Sequence, residues 1–509
     1  MRLHDACARC WRAPRVAEAR GTDRLGLRAR LGPGHQSSVV AAGGLGLVMA
    51  GLLWTSFSGP FPLVEFCTRN RPTWVLPLFE PPRYTALSGL TFLGATAALG
   101  LAYLAALRLC RGIGGSGSAW VLLGGLPILF VAVLVPGYPL LSSDLFKYVF
   151  DGRILTVYGQ NPFIHVPAEF PDDRFYDLVY WKAVVNAHGP IWRVLEAASA
   201  AVGNESCSRA ILATKVWPSL AYLATIGALF ATLRTLEPKR AIQGTVLYAW
   251  NPLVLLEALQ NGHNDVVAAL PTLGAVWLTA RGYTLGVFPL LAIAALIKPL
   301  ALALGPLLLL TTIRRRGPAL RSLALGAGLV VAAYLPFWDG PHTLQGLNRG
   351  GIFSASPAEL LLLMLQAVGV DLERAMPLVS ASALGLFLIA LVPLHRAAWD
   401  QRLPLAAAAA GVFLLYLLVA AQWFNPWYLL WLVPLAALAP WPMRTITIAF
   451  TLLAPLVYVL QYAALPIVLT VFLPVAVLSV RWRAWLGWPG SLQTAAGSSG
   501  ARWQMAGGG

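Results

Sequence analysis

Long apolar runs with almost no charge constrain this chain more than any other feature. The stretches 119–137 and 403–421 are hydrophobic all round, close to the roughly 20 residues an α-helix needs to cross a bilayer. A helix on the surface of a soluble protein buries one stripe and gives the opposite face to water. These runs have no such face. Only 11% of the 509 residues are charged and 58% are hydrophobic, whereas a soluble domain carries about 25% charged residues. A closed β-barrel is the other architecture that spans a membrane, and it needs alternating apolar and polar positions. The runs do not alternate. The sequence therefore predicts an all-α, polytopic transmembrane helical bundle.

Spans are expected near 38–56, 87–107, 119–137, 210–232, 242–258, 265–280, 283–297, 300–313, 320–337, 376–394, 403–421, 427–441, 444–462 and 464–480. This makes about 12–14 spans, depending on whether the shorter ones tilt, re-enter or merge. The net charge of +16 would suggest nucleic acid in a soluble protein, but here it marks orientation. A cytoplasmic start puts about two thirds of the lysines and arginines inside, as the positive-inside rule asks. The sharpest inner markers are Arg108 with Arg111, Arg234 with Lys239 and Arg240, Arg314–Arg316 with Arg321, and Arg481 with Arg483. That placement makes 283–313 a hairpin turning at Lys298, because a single span would carry Arg314–Arg316 outside. Most acids fall on the outer side, consistent with an outward-facing polar site or simply with longer outer loops.

Residues 1–37 carry eight arginines and read as a disordered basic cytoplasmic tail, with 38–56 a retained first span rather than a signal-peptide core. Residues 487–509 are Gly/Ser-rich and read as a second disordered tail. Between them, 38–486 forms one membrane domain with two long extracytoplasmic loops, 138–209 and 338–375. In the second loop, 357–370 is apolar yet too short to span, and reads as an interfacial helix. Cys7 and Cys10 form a lone CxxC without the second ligand pair a zinc site needs. Cys67 and Cys207 fall on the same outer side, and spacing leaves their pairing open.

The loop after the third span reads PGYPLLSSDLFKYVFDGRILTVYGQNPFIHVP. Asp144 arrives where membrane meets water, and an amphipathic helix with Lys147, Asp151 and Arg153 follows it. A Gly/Asn/Pro-rich turn then carries Asn161. Further on, Gln260–Asp265 reads QNGHND, bringing Asn261, His263 and Asp265 to a short outer break with Glu257 one turn earlier. Lys298 sits at the hairpin tip in otherwise apolar sequence, and ionisable groups at membrane depth are costly and usually functional or paired. The WFNPWY break at Trp423–Tyr428 is outer as well. Solvated charges, snorkelling and aromatic anchoring are the plain alternatives at each position.

Taken in order, SSDLFKYVFDGRILTVYGQNPF, HGPIW at His188–Trp192, NPLVLLEALQNGHND, IKPLAL at Ile297–Leu302 and WFNPWYLLWLVPL resemble the GT-C superfamily of membrane glycosyltransferases. The resemblance extends in particular to bacterial polyprenyl-phosphomannose-dependent mannosyltransferases, the α-1,6-mannopyranosyltransferase group among them, and covers about 119–440. It implies transfer of a sugar, mannose in this group, from a polyprenyl-phosphate donor to a cell-envelope glycan or glycolipid on the extracytoplasmic face, with inversion. It also implies a catalytic base in the first large outer loop, which falls on Asp144. One departure is His188-Gly189-Pro190, where such enzymes often carry Tyr-Gly-Pro.

Residue chemistry agrees with that implication. Taking the proton of an acceptor hydroxyl needs a base, and a departing phosphate needs positive charge or hydrogen-bond donors. Asp144 offers the first; Lys298, Arg153 and His263 are candidates for the second. Lys147, Asp151, Asn161, His188, Asn261 and Asp265 are candidate substrate contacts. A lipid donor requires no nucleotide site, and the sequence holds no P-loop or dinucleotide fingerprint. Asp172-Asp173 alone is too little for a metal site, so neither cofactor nor metal is expected. The expected partners are the donor, the acceptor and the bilayer. A polytopic transporter or lipid flippase is the competing reading; it would line a through-going path or place Asp144, His263 and Lys298 on opposite faces.

Overall fold

The computed structural model describes residues 33–68, 86–185, 187–347 and 351–481. The tails expected at 1–37 and 487–509 lie outside these residues, except that Pro33 opens the first helix. Among the described residues every regular element is helical. Hydrocarbon offers backbone groups no partner, so a spanning segment must close its hydrogen bonds within itself.

Each of the expected spans has a helix. Seven are long and apolar enough to cross a membrane: Gln36–Ser58, Leu87–Leu109, Gly117–Leu134, Cys207–Leu236, Arg316–Phe337, Leu372–Trp399 and Trp441–Val459. The others are shorter, and their breaks have visible causes. The segment 242–258 divides at Asn251-Pro252, where proline supplies no N–H. There the Asn251 side chain accepts from Leu253 N at 3.0 Å and donates to Thr451 at 2.9 Å. The expected hairpin turns at Lys298 between Thr284–Ala295 and Pro299–Thr312.

Helices pack through small residues, as they must where lipid competes equally for apolar side chains. Ala407, Ala408, Ala409 and Ala410 are all buried, as are Ala436 and Ala437, on adjoining helices Leu405–Leu415 and Leu432–Leu438. On the long helix Leu372–Trp399 the large side chains Leu384, Leu386, Leu388 and Ile389 stay exposed, as a lipid-facing surface requires.

The loop 138–209 is folded back on the bundle. Its helices Asp144–Thr156 and Pro190–Gly203 pack against each other, and a Cβ on Gly152 would run into the Glu196 carbonyl. Cys67 and Cys207 are joined by a disulfide, so the pairing left open by spacing is made. In the second loop the helix Pro357–Ala367 is capped by Ser356, which accepts from Glu359 N at 3.1 Å. It buries Ala358 and Leu362 against Ala375 and Val379, and leaves Leu361, Leu363 and Met364 exposed.

The breaks rich in arginine converge away from these loops. Arg314 donates to the Trp399 carbonyl at 2.8 Å, Arg444 pairs with Glu237 at 2.8 Å, and Arg111 lies 5.5 Å over the Trp441 ring. The structure thus has a basic end and, where the outer-assigned breaks meet, a pocketed end.

Candidate active site

The stretch leading to Asp144 is pinned before the side chain is presented. Lys215, buried in the helix Cys207–Leu236, donates to the carbonyls of Gly137 at 2.6 Å and Val135 at 3.2 Å. Gln260 donates to the Tyr138 carbonyl at 3.0 Å, and Asn261 Oδ1 accepts from Leu140 N and Leu141 N, both at 3.0 Å. The polar density of QNGHND therefore serves first to fasten the third span's exit. The helix then starts at Asp144, whose N–H donates to Ser142 Oγ at 3.1 Å. A carboxylate in a helix's first turn is stabilised by the N-terminal end of the dipole.

Asp144 opens onto a cavity of about 430 Å³, with Lys298, His188, Trp181, Trp423, Trp427 and Tyr428 among its lining residues. Loops far apart in sequence meet at this wall: the rings of Trp181 and Trp423 lie 5.9 Å apart, edge to face. Ser354 N of the second long loop donates to the Gln422 carbonyl at 3.0 Å, closing one rim.

Lys298 reaches the cavity with its charge partly answered. Its ammonium lies 3.0 Å from Asp265 and 3.3 Å from Asn264 Oδ1, and 5.8 Å from the Tyr428 ring centroid. Asp265 is fully buried at the start of the helix Asp265–Arg281, so it anchors the lysine rather than meeting solvent. His263 stands behind Asp144 and off the cavity wall. Its ring is fully buried and stacked on Trp427, with centroids 4.1 Å apart. Its Nδ1 lies 3.9 Å from Asp144 Oδ2 and its Nε2 3.4 Å from Glu257 Oε2.

Beneath His188 lies a buried ionic cluster. Arg193 donates to Asp151 at 2.5 Å and to Glu196 at 3.0 Å, and Lys147 is bonded to Asp151. His188 Nδ1 lies 4.0 Å from Glu196 Oε1, and its ring meets Tyr148 edge-on at 5.2 Å. Burial would raise the Asp151 carboxyl, but the Lys147 and Arg193 charges beside it hold it below the ordinary aspartate value. Burial lowers the Lys147 ammonium against the pull of Asp151. Glu196 is pushed up to about 8, mainly by burial and against the Arg193 charge. At neutral pH Glu196 is therefore largely a carboxylic acid beside the Asp151 carboxylate.

The structure thus brings together Asp144, Lys298 and His188 at the cavity, with His263, Asp265 and Asn261 immediately behind. Lys147 and Asp151 are one layer deeper. Arg153 and Asn161 are elsewhere. Arg153 is buried, pairs with Asp173 through Nε at 2.9 Å and covers the Phe175 ring at 4.5 Å. Asp173 also accepts from Tyr158 OH at 2.8 Å. Asn161 donates to the Phe337 carbonyl at 2.7 Å and ties the two long loops. Glu257, Arg193, Glu196 and the tryptophans were not singled out as site residues, although Glu257 precedes QNGHND, Arg193 follows HGPIW directly, and Trp423 and Trp427 stand in WFNPWY. Trp181 has no comparable signal.

Residues 40–314 match a family described as alpha-(1->6)-mannopyranosyltransferase, N-terminal domain. The match contains Asp144, His188, Glu257, His263, Asp265 and Lys298, and stops before the Trp423–Tyr428 wall. No curated protein and no solved structure matches the chain.

Proposed function

The chain belongs to the alpha-(1->6)-mannopyranosyltransferase family, which makes it a mannosyltransferase, and from that premise we propose that it takes mannose from a polyprenyl phosphate with Asp144 as the base. The acceptor is a cell-envelope glycan or glycolipid bound in the tryptophan-lined cavity, and the architecture is that of the GT-C superfamily. The observation that carries this reading is the shared cavity: a carboxylate and an ammonium from distant breaks face one space.

In the proposed reaction the acceptor hydroxyl attacks the anomeric carbon as Asp144 takes its proton. The bond to the phosphate oxygen breaks with its electron pair, and the configuration inverts. Lys298 meets the leaving phosphate, where a charge-assisted hydrogen bond in a partly water-excluded site is worth most. Asp265 holds that ammonium in place without occupying the cavity. Indole faces suit the C–H surface of a sugar ring, and aromatic walls of this kind are usual where a few polar groups set orientation.

An extracytoplasmic site is supported by two features. The Cys67–Cys207 disulfide belongs to an oxidising compartment, and its segment pairs with the approach to Asp144, Tyr138 N donating to the Phe61 carbonyl at 2.8 Å. The arginine-rich breaks gather at the other end, as a cytoplasmic face requires. The transporter reading loses support because Asp144, His263 and Lys298 cluster around one cavity instead of marking a path between faces.

The test is transfer from defined polyprenyl-phosphate mannose in membranes holding equal amounts of wild type and Asp144→Asn. The amide keeps the shape and loses the base, and general-base catalysis contributes about 10²–10⁴-fold. Transfer is expected to fall at least about 100-fold. Wild-type transfer by Asp144→Asn removes the proposed role.

A further inference from the structure

Behind Asp144 runs a line of buried groups that the reaction just described does not use. His263 lies between two carboxylates, Nδ1 at 3.9 Å from Asp144 and Nε2 at 3.4 Å from Glu257. Glu257 is fixed by Tyr458 OH, which donates to Oε1 at 2.7 Å, and by Asn261 Nδ2, which donates at 2.9 Å to Oε2, the oxygen nearest His263. Trp427 covers the ring face. Among the described residues neither ring nitrogen has a hydrogen-bond partner, which is an unfavourable state for a buried imidazole. An exposed histidine or a packed core histidine would not be held this way, between acids and in line with a cavity carboxylate. Catalytic hydrogen bonds are often long before substrate binds and tighten afterwards.

We infer that His263 is a positioning residue that carries the proton away from Asp144, with Glu257 fixing its tautomer. With Nε2–H directed at Glu257, the Nδ1 lone pair faces Asp144. The acceptor O–H bond breaks as its oxygen bonds the anomeric carbon, and the bonding pair to phosphate leaves on the lipid phosphate. The proton passes to Asp144 and then to His263 Nδ1, and the Glu257 carboxylate balances the imidazolium. One proton moves and Asp144 is returned as a carboxylate. The same logic of base, imidazole and buried orienting acid underlies catalytic triads. The inference rests on Asp144 being the base.

Charged and titratable groups reach this region from several elements. Asp144 approaches from its helix and Glu257 from the segment Leu255–Gln260. Asp265 follows in the next helix with Lys298 bound to it. Lys215 packs beside Gly262. Tyr458 is bonded to Glu257, and Tyr428 and Tyr462 lie within electrostatic reach of Asp144. An imidazolium at His263 has no lone pair to offer, so turnover falls on the acid side as the ring takes up a proton.

The experiment measures kcat, donor KM and the pH profile of transfer from polyprenyl-phosphate mannose, using the endogenous acceptors of the membranes. His263→Asn is expected to lower kcat about 10–100-fold, leave donor KM within about twofold, and abolish that acid limb. Glu257→Gln, which preserves shape, weakens the support for the imidazolium. Its limb is expected to move to lower pH, with kcat down about tenfold. A wild-type limb and kcat in Glu257→Gln overturn the inference, whether or not His263→Asn accumulates. Asp144→Asn is assayed in parallel. If it transfers normally, the base reading itself fails; if it is inactive while both relay variants keep the wild-type profile, only the relay fails.

Discussion

The two ends of this bundle both carry charge, and they carry it differently. At the basic end Arg314, Arg315, Arg316, Arg396 and Arg402 are exposed, and what they touch is mostly a carbonyl or an indole face, as Arg314 does at Trp399; Arg444, buried and paired with Glu237, is the exception there. At the pocketed end Lys147, Asp151, Arg193 and Glu196 are buried against one another, and Asp265 and His263 are buried beside Lys298 and Glu257. Exposed charges act through their summed field, with each contact screened and replaceable. Buried charges act through geometry, because each is tolerated only while its partner stays in place. The first arrangement sets which way the chain lies in a membrane. The second holds a cavity wall in shape. If this contrast is right, equal substitutions at the two ends have very unequal effects.

The largest effect on stability is expected at Arg193. It is 1% exposed and binds both Asp151 and Glu196, so Arg193→Ala leaves Asp151 to Lys147 and strips the buried Glu196 of its donor under His188. Removing one member of a buried pair costs about 3–5 kcal/mol. Thermal unfolding of the detergent-solubilised protein and its yield in membranes report this. A melting temperature within a degree of wild type would erase the distinction between the two ends.

Lys298→Ala comes next. Its ammonium is part-exposed to the cavity and anchored by Asp265 at 3.0 Å; the variant also strips the buried Asp265 of this cation, so transfer is compared at equal amounts of folded protein. Loss of one charge-assisted hydrogen bond to the donor phosphate is worth about 1.5–3 kcal/mol, and donor KM is expected to rise about tenfold or more. An unchanged dependence on donor concentration would take Lys298 out of the phosphate site.

These residues also show how far sequence alone reaches. The apolar runs placed the helices because hydrophobicity over about 20 residues is a local property. Asp144 was legible because a carboxylate at the mouth of a span is costly wherever the rest of the chain goes. Lys298 was legible for the same reason. Pairings were not. Arg153 offered a cation for phosphate, yet Asp173, on a loop whose path no periodicity encodes, takes it. His263 looked like a cavity ligand, and only the packing of Trp427 against it turns it behind Asp144. Glu257 finds Tyr458 across 201 positions, a contact set by helix packing.

Glu196→Gln should have a smaller and pH-dependent effect. Burial pushes the folded carboxyl up to about 8 from an ordinary 4.5. Between those values the folded state holds a proton that the unfolded chain has released, so the group's contribution to stability declines as pH rises. Glutamine mimics the neutral acid and has no such decline. Near pH 5 the variant should sit within about 1 kcal/mol of wild type. Its melting temperature should then gain on wild type steadily toward pH 8. Parallel melting curves from pH 5 to 8 would show that Glu196 does not hold its proton, and that the cluster balances its charge some other way.

The smallest effect is expected at Arg314, and it is the control on which the comparison depends. Arg314 is exposed, donates to the Trp399 carbonyl at 2.8 Å and lies 4.0 Å over the same residue's ring. It resembles Arg193 in combining polar contact with a ring face, Arg193 covering the Phe163 ring at 5.2 Å. Water decides the difference. When Arg314 is removed, solvent takes over the Trp399 carbonyl, and the neighbouring Arg315 and Arg316 keep the local field positive. Exposed substitutions of this kind usually fall within about 0.5 kcal/mol. Arg314→Ala should therefore melt with wild type and transfer mannose within about twofold of it. A loss approaching that of Arg193→Ala would mean that the basic end, too, works through fixed geometry, and the division between orienting charge and constructing charge would have to be drawn elsewhere.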